Sequence, residues 1–109
     1  MSDLENKFLK LEKKIQIAES QGQPIDSFVI EQIEILKKSL TDFINLALKK
    51  GYKRDDIRIG EIEVKQYQIM MELSKKINLP TDEYKKLIKD AQIRVLGEEI
   101  YKAQSNLQQ

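Results

Sequence analysis

The 109-residue sequence contains no cysteine, no histidine and no tryptophan. Without cysteine there are no disulfides, thiolate metal ligands or thiol nucleophiles. Without histidine there is no imidazole base, so Ser-His and Cys-His pairs and imidazole metal sites are excluded as well. A serine–lysine pair at S-x-x-K spacing does not occur at any serine. The four glycines, Gly22, Gly51, Gly60 and Gly97, are too scattered to form a phosphate-cradling loop. The adjacent carboxylates Asp55/Asp56 and Glu98/Glu99, and the spaced pair Glu61/Glu63, diverge around a helix instead of converging on one ligand. We therefore expect no catalytic residues, no bound metal and no cofactor.

An excess of either charge is missing too. Lysine and arginine total 19 and aspartate and glutamate 18, a formal net charge of +1. The overall field of a nucleic-acid or acidic-membrane binder is absent. No apolar run is long enough to cross a membrane, and the opening MSDLENK is polar where a secretory leader is basic and then apolar. The expected location is the cytoplasm, as one domain spanning residues 1–109.

What the sequence does contain is helical periodicity, and it predicts an all-α fold. The expected architecture is an antiparallel bundle of about four helices, at 3–20, 26–50, 57–77 and 82–104. Leu4, Phe8, Leu11, Ile15 and Ala18 repeat at helical spacing behind the capping-box pattern Ser2-Asp3-Leu4-Glu5. Gly22 and Pro24 end that helix and turn the chain into an N-terminal helical hairpin.

The second helix is the most apolar. Val29, Ile33, Leu36, Leu40, Phe43 and Ala47 form its seam, with Asp26 or Ser27 as the expected N-cap and Gly51 as terminator. Phe28, Ile35, Leu46 and Leu48 add apolar flank beyond the stripe of about 100° that one neighbour covers. The third helix begins ambiguously. Ile57, Ile59, Ile62 and Val64 partly alternate with polar residues around Gly60, so a short extended segment before the helix is an option. Ile62, Ile69, Leu73 and Ile77 are expected to point inward, with Tyr67, Met70 and Met71 widening the stripe. In the fourth helix, capped by Thr81, the stripe shifts by one residue at Gly97. A kink or break is expected there, leaving Leu96, Ile100 and Leu107 facing away from the preceding seam.

Residues 72–88, ELSKKINLPTDEYKKLI, resemble the helix-turn-helix pattern of bacterial regulators. Leu73 and Ser74 fall where the first helix packs, Asn78 where glycine is usual, and Leu79, Tyr84 and Leu87 at core positions. The resemblance implies that the fourth helix enters a DNA groove, with Thr81, Lys85, Lys86 and Lys89 as contacts and the first two helices as a dimerisation arm. A second basic stretch, Lys49, Lys50, Tyr52, Lys53 and Arg54, combines cations with an aromatic ring and could hold phosphate. Asp82 and Glu83, however, stand at the leading end of the fourth helix against the phosphates' charge. DNA binding is therefore the second reading. The first is a non-catalytic interaction protein, an adaptor, assembly component or inhibitor. It would dock apolar helix faces onto another protein or its own copies through Phe28, Ile35, Leu46, Leu48, Leu96, Ile100 and Leu107.

Overall fold

A computed structural model describes residues 3–97, Ile100 and Ala103. The described chain forms four helices and no strand: α1 (Asp3–Ser20), α2 (Asp26–Lys49), α3 (Ile57–Lys76) and α4 (Asp82–Leu96). They pack in chain order, α1 on α2, α2 on α3 and α3 on α4, each against its predecessor. The result is open and thin, 50 × 38 × 16 Å, with no contact between α1 and α4 backbones.

Three of the four helices stop by the same device. At the end of α1, the Gln23 N–H donates to the Ala18 carbonyl and Gly22 N–H to Glu19, with Gly22 at φ 69°. Tyr52 and Gly51 repeat the pattern on Ala47 and Leu48 at the end of α2, and Leu79 and Asn78 repeat it on Ser74 and Lys75 at the end of α3. This is the Schellman closure, which needs a left-handed residue just past the helix. Glycine supplies it twice and Asn78 once, at φ 61°. The residue at the base of each closure is small and buried, Ala18, Ala47 or Ser74, so each turn lies tight against the neighbouring helix.

The helix starts differ more from expectation. Neither Asp26 nor Ser27 caps α2; Asp26 is already helical and Ile25 occupies the cap position without a side-chain bond. Thr81 holds the cap position of α4, again without a side-chain bond. Among the helix starts at described residues, α2 to α4, only α3 has a side-chain cap: the Asp56 carboxylate accepts from the Arg58 backbone N–H at 2.8 Å. That cap removes the extended option for residues 57–64, which are helical throughout. The fourth helix ends at Leu96, earlier than the expected 104. Gly97, at φ 81° and ψ 151°, breaks it outright, and helical backbone returns at Ile100 and Ala103. Ser2 and Leu107 lie outside the described residues.

One apolar core joins all four helices through Ile15, Val29, Ile33, Leu40, Met70, Ile77 and Tyr84. Burying such side chains stabilises the fold by about 1.5–3 kcal/mol each. Met70 is wholly inside, so the Tyr67–Met71 cluster is core packing. Ile69 and Leu79, expected inside, are exposed. The buried face of α3 is instead Ile59, Glu63, Met70 and Ser74, about a fifth of a turn or more away from Ile69.

Candidate interaction surface

Polar chemistry concentrates at one buried point. Glu63 is 1% exposed and lies between two arginines, Arg54 from the α2–α3 loop and Arg94 from α4. Arg54 grips the carboxylate with both terminal nitrogens, the Nη2–Oε2 distance being 3.1 Å, and Arg94 Nη1 donates to Oε1 at 2.8 Å. The hydrogen bond to Glu63 holds the Arg54 guanidinium further above its ordinary pKa than burial lowers it. Burial, and then the negative charge of Glu63, push the Tyr67 phenol up from its ordinary value. The cluster ties the loop and α4 to α3. Because every acceptor oxygen already faces a donor, it is a structural clamp.

That clamp absorbs one of the residues expected to contact nucleic acid, Arg54. Tyr52 is preoccupied as well, with the Arg58 guanidinium 4.5 Å from its ring centroid and Arg58 itself paired to Asp56 at 2.9 Å. Lys49, Lys50 and Lys53 remain exposed. On α4, Lys85, Lys86 and Lys89 are exposed, but so are Asp82, Glu83 and Asp90, which cancel their charge. Thr81 is half-buried.

The path of α4 bears directly on the helix-turn-helix resemblance. At the far end from the turn, Gly60 of α3 meets Val95 of α4 and Glu63 meets Arg94. At the near end, Ile77 and Tyr84 share the core. The two helices lie side by side and antiparallel along their whole length, whereas a DNA-binding helix pair crosses at about 90–120°. The resemblance is confined to the turn at Asn78, its buried Ser74 and the buried Tyr84.

The apolar candidates divide. Phe28, Ile35 and Leu96 are half-buried, while Leu46, Leu48 and Ile100 are exposed. At 100° per residue, Phe28, Ile35 and Leu46 fall on one side of α2, and Leu48 with the exposed Ile30 falls on the other. Leu46 belongs to a groove of about 300 Å³ between α2 and α3 with Phe43, Ile59 and Ile62. Ile35 lines another of about 340 Å³ with Leu4, Phe8 and Leu9. The buried Gln66 Oε1 beside this second groove has no hydrogen-bond partner. Leu96 lines a third of about 380 Å³ between α3 and α4, with Ile57, Val64 and Val95.

The sequence pattern gave no weight to Ile57 and Ile69 as surface residues, yet they are 54% and 42% exposed on the outward side of α3. Among the described residues, no group of three or more His, Cys, Asp or Glu could hold a metal ion, and no helix is long and apolar enough to cross a membrane. No protein-family model, curated protein or solved structure matches this chain.

Proposed function

We propose that this chain is a non-catalytic interaction protein that works in the cytoplasm by docking apolar helix faces onto a protein partner. The observation that carries the reading is the set of large apolar side chains left in water on otherwise well-packed helices, chiefly Leu46 and Leu48 on α2 and Ile57 and Ile69 on α3. Single exposed apolar residues are ordinary. Here Leu46, Ile57 and Ile69 border grooves whose walls are also apolar, the arrangement that marks a protein-binding surface. The near-neutral charge supports association through apolar contact over recognition of a phosphate backbone. The side-by-side course of α3 and α4 supports docking over groove entry, since a DNA-binding helix pair crosses at about 90–120°.

The test is native capture of binding partners with and without nuclease. Retention that survives nuclease and is lost in Leu46→Asp or Ile100→Asp supports docking. Retention abolished by nuclease, or by reversing the charges of Lys85, Lys86 and Lys89, overturns it.

A further inference from the structure

Resting on the docking reading, we infer that the outward face of α3 is the contact surface for a second copy of this chain, packed antiparallel about a two-fold axis that passes midway between Glu61 and Lys65. Ile57, Glu61, Lys65 and Ile69 are all exposed and spaced by four, so they form a single ridge along the helix. Read in either direction the ridge is apolar, charged, oppositely charged, apolar. A two-fold axis at its centre sets Ile57 of one protomer opposite Ile69 of its partner, and Glu61 opposite Lys65, twice over. An isologous interface requires this kind of self-complementarity. The surfaces flanking the ridge are concave and apolar: one groove holds Val64, Val95 and Leu96, the other Ile69 and Leu73, and they share Lys65 and Gln68.

The size of the exposed surface points the same way. The chain exposes 7864 Å², about 1,600 Å² more than a compact folded chain of this mass. One side of a standard interface needs about 800 Å². The radius of gyration, 16.4 Å against about 13 Å for a compact domain of this length, describes the same open shape. A net charge of +1 puts no electrostatic barrier between two copies.

Sedimentation equilibrium of the purified full chain over a range of concentrations tests the inference, with circular dichroism confirming that each variant is folded. The wild type is expected to form dimers. Glu61→Lys and Lys65→Glu each place like charges together twice and are expected to raise the dimer dissociation constant by about tenfold or more. The double variant Glu61→Lys/Lys65→Glu restores both pairs and is expected to recover most of the loss. Ile69→Asp abolishes the dimer, and Ile17→Asp, at an exposed apolar residue of α1, leaves it unchanged. A chain monomeric at every concentration overturns the inference, and so does a dimer in which the double charge swap is no better than the single changes. Either result leaves the docking of a different protein standing or falling on the capture experiment alone, because that experiment reads Leu46 and Ile100.

Discussion

Gly60 of α3 and Val95 of α4 touch so closely that a Cβ on the glycine would lie inside the valine's Cγ2 methyl. This is where the two helices approach nearest at the end away from their turn, and the lack of a side chain at residue 60 permits it. Alanine is the better helix former by about 1 kcal/mol, but forcing a methyl into a filled contact costs about 1–3 kcal/mol. Gly60→Ala is therefore expected to lower stability in urea unfolding, and Val95→Ala in the same chain to recover a large part of the loss. A Gly60→Ala protein more stable than the wild type would show that the helices are free to move apart.

Glu63 and its arginines should respond asymmetrically. The carboxylate cannot reach water, whereas the Arg54 and Arg94 side chains are 39% and 30% exposed and can turn outward when released. Replacing both arginines by methionine strands a buried charge and is expected to cost about 3–5 kcal/mol. Glu63→Gln leaves no such charge and is expected to cost about 1–2 kcal/mol. Chemical denaturation of the two variants side by side checks the order.

Tyr67 sets a high-pH limit. Its phenol is raised by burial and by Glu63, so above the ordinary tyrosine value of about 10 the unfolded chain gives up this proton before the folded chain does. Stability is expected to be full below that pH and to fall as pH rises through the folded value. In a spectrophotometric tyrosinate titration the late-ionising signal of Tyr67 should be lost in Tyr67→Phe.

Asn78 carries the left-handed turn between α3 and α4, at φ 61°. Asn78→Ala is expected to cost about 1 kcal/mol and Asn78→Gly to be neutral or slightly stabilising, since a Cβ is disfavoured there. Thermal melting of the two variants separates them.

The four helices and their turns were legible because two strong signals coincide in this chain. Apolar residues recur at helical spacing, and Gly22, Gly51 and Asn78 stand where a closing turn needs a left-handed residue. The inner face of α3 was not legible. Glu63 and Gln66 lie between Ile59 and Met70 on the buried side, and polar residues interrupt the apolar pattern by which a seam is recognised. An apolar pattern that skips those two places Ile69 inward, whereas it lies on the outer ridge. The spacing Ile59, Glu63, Gln66, Met70, Ser74, Ile77 is itself continuous at fours and threes, and two arginines elsewhere were available to neutralise one buried carboxylate. That Arg94 is one of them depends on α4 lying alongside α3, which no local pattern encodes. The same dependence explains Gly60: its helical cost shows in the sequence, but the valine it accommodates is 35 residues away.

Sedimentation equilibrium at low and high salt tests most directly the claim that the exposed apolar residues of α3 are where two copies of this protein associate. Apolar contact predicts an association that Ile57→Asp or Ile69→Asp destroys and that changes by no more than about threefold between 0.05 and 0.5 M salt, since only exposed charge pairs are screened. A chain that never associates, or one whose association collapses as salt rises, would contradict it.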